Sequence, residues 1–279
     1  MELVRKGFSV FLILLFAVFA FCACEDVPSK KDEVSFVGEL GVWWWNDSLG
    51  EEYLSFAKEN GVTEIYYDSD FDLDTEAFIK SANEKGIKVY WLAGDYRWFE
   101  DRRSELVSQV EAYQAFQSQA QCKFSGIHLD IEPHQSPNFE TNREATILNY
   151  LELVEFITST YPNITFDFDI PFWLEDELTF RGETKEAFKF VFDMASRVFV
   201  MSYRDTAEEI LAVATEELEY AKERNKPIFL CVETGEEDPN ITFFEEGKEF
   251  LNSELKKVKN SQAVGISIHD IVRWKNLKD

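Results

Sequence analysis

The sequence predicts a single-domain (β/α)8, or TIM, barrel, and three observations carry that expectation. Short apolar segments rich in β-branched and aromatic residues alternate with amphipathic helical segments, and the alternation repeats eight times. The connections between them are short, which favours a parallel sheet with its helices outside. About 255 residues follow Cys24, a size typical of one such barrel and enough to bury a large core without disulfide help.

The chain begins with a segment the fold does not need. Arg5 and Lys6 precede the apolar run Phe8 to Ala23, the layout of a secretory signal, and the run is short for a membrane span. Ala23-Cys24 resembles the cleavage site of a bacterial lipoprotein, in which Cys24 becomes the lipidated first residue. Ordinary cleavage nearby, discarding Cys22 and Cys24, is the alternative. The expected organisation is a signal at residues 1–24, a polar tether at 25–35 and the barrel at 36–279. The expected location is the bacterial cell envelope, with membrane contact only through an N-terminal lipid.

The first four strands are expected at Leu40 to Trp45, Thr63 to Tyr67, Ile87 to Leu92 and Gly126 to Ile131. The second four are expected at Ile164 to Ile170, Arg197 to Tyr203, Pro227 to Val232 and Val264 to Ile268. Asp47 or Ser48 is placed to cap a first helix that buries Leu49, Tyr53, Phe56 and Ala57 and stops at Asn60-Gly61. Asp74 opens the second helix, which ends before Gly86. Further helices are expected from Ser104 past Phe116, from Arg143 to Tyr161, and over Lys185 to Ala195, Ala207 to Arg224 and Phe244 to Val258. A truncated eighth starts at Ile271. No glycine-rich phosphate loop follows the first strand, which weighs against a nucleotide-binding open sheet.

A formal net charge of −25 argues against nucleic acid, whose phosphates would be repelled. The acidic residues are spread along helices, as on a well-solvated surface. Cys122 and Cys231 are expected to be free and buried.

Reactive groups of such barrels sit at the carboxyl ends of strands. Strand alternation puts His128, Asp130 and Glu132 on one face, opposite Ile127, Leu129 and Ile131. Crowded carboxyls repel, so one is expected to hold its proton to higher pH, as a general acid must. Other strand ends add Trp45, Asp167, Asp169, Trp173, Met201, Tyr203, Arg204, Glu233 and His269, with Trp274 just beyond. Aromatic rings beside carboxylates suit carbohydrate, whose C–H faces pack on rings while its hydroxyls bond to acids. The expected partner is therefore a carbohydrate or cell-wall polysaccharide, with no cofactor. His128, His134 and His269 permit a metal reading, but paired-histidine zinc signatures are absent.

Here the sequence resembles the chitinase-like glycoside hydrolases of family eighteen, whose fourth strand carries Asp-Gly-x-Asp-x-Asp-x-Glu. Gly126, Asp130 and Glu132 match, while Ser125 and His128 stand in place of two aspartates. Met201-Ser202-Tyr203 matches the family's Met-x-Tyr, and Trp274 its eighth-strand tryptophan. The resemblance implies Glu132 as acid/base, Asp130 orienting a substrate acetamide and Tyr203 supporting the intermediate. A second resemblance, to retaining glycosidases with two catalytic glutamates, implies Glu132 as acid/base and Glu233 as nucleophile. The leading expectation is thus an exported glycoside hydrolase-like protein using Glu132. The alternatives are a non-catalytic carbohydrate-binding barrel and a metal-dependent hydrolase using His128, Asp130 and His269.

Overall fold

The first five apolar runs form β1 (Leu40–Trp44), β2 (Glu64–Tyr67), β3 (Lys88–Ala93), β4 (Ile127–Leu129) and β5 (Phe166–Pro171). A two-stranded antiparallel hairpin follows, β6 (Glu177–Phe180) with β7 (Glu183–Glu186). The last runs are β8 (Arg197–Met201), β9 (Ile228–Glu233) and β10 (Gly265–His269). These are seen in a computed structural model that describes residues 38–46, 48–261 and 265–279. The expected signal segment, Cys24, the tether, Asp47 and Val264 lie outside the described residues.

Apart from the hairpin, the strands pair in parallel in the order β1-β10-β9-β8-β5-β4-β3-β2 and close on themselves. The predicted eight-stranded barrel is therefore what the chain forms, with ten α-helices among the described residues. Because side chains alternate along a strand, the barrel has two distinct apolar clusters. One lies between strands and helices and includes Val42, Ile65, Val89, Ile127, Leu129, Ile131, Phe168, Val200 and Ile268. The other fills the barrel with Trp43, Tyr66, Tyr90, Leu92, Phe199, Phe229 and Cys231.

The helices are α1 (Glu51–Glu59), α2 (Leu73–Glu84), α3 (Arg97–Glu100), α4 (Arg103–Gln119) and α5 (Arg143–Thr160), then α6 (Ala187–Met194), α7 (Ala207–Val213), α8 (Thr215–Arg224), α9 (Lys248–Ser261) and α10 (Ile271–Asn276). Three boundaries correct the sequence reading. Gly50, not Ser48, precedes α1, because the Ser48 amide and hydroxyl both donate to Asn46 Oδ1. Asp72, not Asp74, caps α2, accepting the Thr75 amide at 2.9 Å. The helix expected from Lys185 starts only at Ala187, since Arg181 and Gly182 take positive φ (52° and 88°) and turn the preceding segment into the hairpin. Both cysteines are free, Cys231 buried and Cys122 half-buried. Among the described residues no helix is long and apolar enough to cross a membrane.

Candidate active site

Polar side chains fill the barrel axis in two tiers. The lower tier, at the amino ends of the strands, centres on Arg197. Its Nε and Nη2 donate to Asp167 at 2.9 and 2.6 Å, and its Nη1 donates to both oxygens of Glu64 at 3.0 and 2.8 Å. Glu64 and Asp167 are wholly buried, and Arg197 is 5% exposed. Tyr90, Phe199 and Phe229 enclose the guanidinium. Burial would raise the Asp167 carboxyl, but Arg197 and His128 outweigh it and hold it below the usual carboxylate range. Asp167 therefore does not face the mouth, where the sequence reading had placed it among substrate-binding residues.

The upper tier begins at His128, stacked on Tyr66 at 4.1 Å between centroids and set edge-on to Trp43 and Phe199. Its Nε2 lies 2.7 Å from Asp169 Oδ2, and its Nδ1 lies 3.9 Å from Asp167 Oδ2. Burial alone would drive off the imidazole's second proton, but the two aspartates hold it, raising its pKa to about 9. His128 is thus an imidazolium at neutral pH.

Above it Asp130 and Glu132 follow at alternate positions. Burial raises the Asp130 carboxyl well above its usual range, reinforced by the charges of Asp169 and Glu132. Asp130 Oδ1 and Asp169 Oδ1 are buried without a hydrogen-bond partner among the described residues. Glu132 reaches the surface, its side chain 16% exposed. Burial raises its pKa too, against the opposing His134, whose Nε2 is 3.6 Å away, and a hydrogen bond donated by Gln135 Nε2. Burial also pushes the Tyr203 phenol up, and its ionisation is further opposed by Asp130, Glu233 and Asp169, so it is a neutral donor.

Across the mouth, Glu233 is held by fixed donors. The amides of Thr234 and Gly235 donate to Oε1 at 2.8 and 2.6 Å, Arg273 Nη1 donates to the same oxygen at 3.4 Å, and His269 Nδ1 lies 2.7 Å from Oε2. Burial works against ionisation, yet these partners keep the Glu233 carboxyl below its usual range. Trp45 Nε1 donates to His269 Nε2 at 2.9 Å.

Asp130, Glu132, Asp169, Tyr203, Glu233, His269 and Trp45 therefore converge at one end of the barrel. Met201 is buried at the end of β8, and Arg204 donates to the Tyr203 carbonyl at 2.6 Å while its guanidinium lies over Phe172. Trp173 is one step removed: its ring meets His134 edge-on at 5.3 Å, and Arg143, bound to Asp176, lies over it. Trp274 is not in the mouth, because α10 buries it outside the barrel against Phe56, 5.0 Å between centroids. His128 lies on the expected strand face but entered the sequence reading only as a candidate metal ligand, not as part of the glycosidase site. Its significance depends on Asp167 and Asp169 bracketing it from the next strand. Among the described residues no three His, Cys, Asp or Glu side chains are arranged to hold a metal ion. The His128, Asp130 and His269 alternative also meets occupied nitrogens, His128 Nε2 on Asp169 and both His269 nitrogens on Glu233 and Trp45. Beside the mouth a cleft of about 820 Å3 opens between Trp45, Asp68, Asp70, Gly94, Asp95 and Gln109.

No protein-family model and no curated protein matches the chain. Solved structures do. A family-eighteen chitinase from Pseudoalteromonas aurantia is 15% identical, with 83% of this chain and 93% of that one covered and a TM-score of 0.55. The glycoside hydrolase domain of PelA from Pseudomonas aeruginosa is 11% identical over 84% of this chain and 95% of its own, with a TM-score of 0.48. The ICChI chitinase from Ipomoea carnea is 14% identical over 86% and 97%, also at 0.48. At such identities the likeness is one of fold, a parallel (β/α)8 barrel, and fold alone does not set chemistry.

Proposed function

We propose that this protein is an exported glycoside hydrolase that cleaves a glycosidic bond with Glu132 as general acid/base. The observation that carries the reading is the Asp130–Glu132 pair. Both carboxyls are raised by burial at the carboxyl end of β4, beside the neutral phenol of Tyr203 and within a mouth walled by Trp45. In the proposed reaction Glu132 gives its proton to the leaving glycosidic oxygen, which departs with the bonding electron pair. Positive charge then develops at the sugar's anomeric carbon. The oxygens of Glu233 already accept hydrogen bonds from protein donors, which favours attack by the substrate's own 2-acetamido oxygen, oriented by Asp130. Water then adds to that carbon as its bond to the acetamido oxygen breaks, the electron pair returning to the acetamide, and the water gives up a proton to Glu132.

The test is a screen of aryl-glycosides and cell-wall polysaccharides with the wild type and Glu132→Gln. The variant should keep its fold and sugar binding while losing about 10²- to 10⁴-fold in turnover, the range of a general acid. Equal hydrolysis by both proteins would remove Glu132 from the role. The second reading is a carbohydrate-binding barrel without hydrolysis, favoured by the bond that Gln135 already donates to Glu132. It expects sugar binding by both proteins and turnover by neither. We also propose that Cys24 carries the lipid anchor, so that Cys24→Ala releases the protein from the membrane fraction.

A further inference from the structure

Trp45 is a large apolar side chain left 39% exposed at the end of β1, where an unsupported indole would rotate freely. It is supported from behind. The indole nitrogen can only donate, so the His269 Nε2 that receives it must be the unprotonated nitrogen of a neutral ring. That assigns the proton to Nδ1, which donates to Glu233 Oε2. Glu233 is in turn fixed by two backbone amides of its own strand end. The rings also meet edge-on, with Trp45 and Trp43 at 6.1 and 5.7 Å from His269. A directional chain thus runs from buried backbone through carboxylate and imidazole to the exposed indole. Trp45 lines the cleft beside the mouth and, through His269, borders the mouth itself.

We propose that Glu233 and His269 are positioning residues that lock Trp45 as the wall shared by mouth and cleft. On that wall packs the C–H face of a pyranose ring next to the one being cleaved. The substrate is then an oligosaccharide or polysaccharide rather than a single sugar with a simple leaving group. This rests on the carbohydrate reading above. It gives Glu233 a role other than that of nucleophile.

The chemistry supplies a one-atom test. Glu233→Gln keeps an oxygen for the two backbone amides but turns its amide nitrogen toward His269. The imidazole must then accept at Nδ1 and carry its proton at Nε2, facing the indole donor to donor. His269→Leu breaks the same link, whereas His269→Gln can accept from Trp45 and donate to Glu233. In ¹H–¹⁵N spectra without sugar, the Trp45 indole resonance, identified by its loss in Trp45→Phe, should move and lose exchange protection in Glu233→Gln and His269→Leu. It should survive in His269→Gln. Affinity for a tetramer of N-acetylglucosamine should fall about five- to tenfold in Trp45→Ala, the worth of one stacked ring. Glu233→Gln should match that loss and add nothing to it in the double variant, with the change in KM rather than kcat. An unmoved indole resonance, or a collapse of kcat in Glu233→Gln with affinity intact, would overturn the assignment. Failure of the wild type to bind the tetramer while the indole behaves as described would count against the carbohydrate reading and the stacking role, and would leave the relay standing.

Discussion

Replacing Arg197 by methionine tests the division of the barrel into a structural lower tier and a reactive upper one. The guanidinium makes four hydrogen bonds, two to Asp167 and two to Glu64, inside a cage of Tyr90, Phe199 and Phe229. Methionine fills much of that volume but leaves two buried carboxyls facing each other. The remaining cations are poor substitutes: the half-exposed Lys88 lies 3.7 Å from Glu64, and His128 lies 3.9 Å from Asp167 while already engaged with Asp169. Removing one partner of a buried ion cluster costs about 3–5 kcal/mol. At about 2–4 °C per kcal/mol for a domain of this size, the melting midpoint should fall by roughly 6–20 °C. The sign of the pH dependence is equally specific. In the wild type Asp167 is held below its ordinary value, so its contribution is present above that value and lost as pH falls. In the variant the two carboxyls must be protonated to stay buried, so their folded values rise and stability is lost as pH climbs. The gap between the proteins in urea denaturation should therefore be small near pH 4 and widen towards pH 7. Asp167→Asn should lose less than Arg197→Met and should bind sugar as the wild type does. Unchanged denaturation of both variants, with sugar binding lost in Asp167→Asn, would put Asp167 in the mouth and refute the tiered arrangement.

Two other perturbations follow from the same packing. Glu217 on α8 is fully buried, and burial, helped by repulsion from Glu175 and Glu216, raises its pKa to about 8. The folded form prefers the neutral acid, so stability should fall as pH rises from about 4.5 to 8, by roughly 3 kcal/mol at pH 7, and Glu217→Gln should flatten that slope in chemical denaturation at pH 5 and pH 8. Parallel profiles would show that the carboxyl is not buried as described. Gly94 follows β3, and a Cβ there would overlap the Asp130 carbonyl oxygen and press on Asp130 Cβ at 3.3 Å. Gly94→Ala should cost about 1–3 kcal/mol and cut turnover with Glu132 untouched, measured by melting and by hydrolysis of whichever glycoside the screen identifies.

The barrel was legible because its signals are periodic. Each strand run is short and each helix has one apolar face, so the count of eight survived even where ends shifted by a residue or two. The hairpin was not legible. In Glu177–Phe180 only Leu178 and Phe180 point inward, too few to outweigh the helical pattern that begins soon after. Strand parity likewise identified the faces of Asp130, Glu132, Asp167 and Asp169 but carries no information on depth. Asp167 and Asp169 share a face, yet one lies beside Arg197 and the other beside His128. Depth depends on how neighbouring strands are staggered: β5 pairs with β8 so that Asp167 stands opposite Arg197. Arg197 escaped notice because it lies at a strand start, away from the carboxyl ends where reactive groups are sought. Trp274 was misplaced for a related reason: it follows the last strand in α10, whose inner face packs on the outside of the barrel.

The substitution at His128 bears most directly on the proposed chemistry. Where the resembled motif has an aspartate, this chain has an imidazolium between Asp167 and Asp169. An aspartate there would add a third acid to that pair, and it would stay buried only by taking up a proton. The imidazolium instead pairs with Asp169 through Oδ2 and continues the alternation of charge that begins at Arg197, while Asp169 Oδ1, below Asp130, is left without a partner among the described residues. Burial and the two acidic neighbours, Asp169 and Glu132, outweigh the opposing charge of His128 and favour the neutral form of Asp130. In the proposed reaction that neutral carboxyl can accept the N–H of the substrate acetamide on its carbonyl oxygen. It can donate its own proton to the Glu132 carboxylate once that group's proton has gone to the leaving group. The missing aspartate therefore changes which groups are charged beneath the acid/base without removing the proton that the reaction needs.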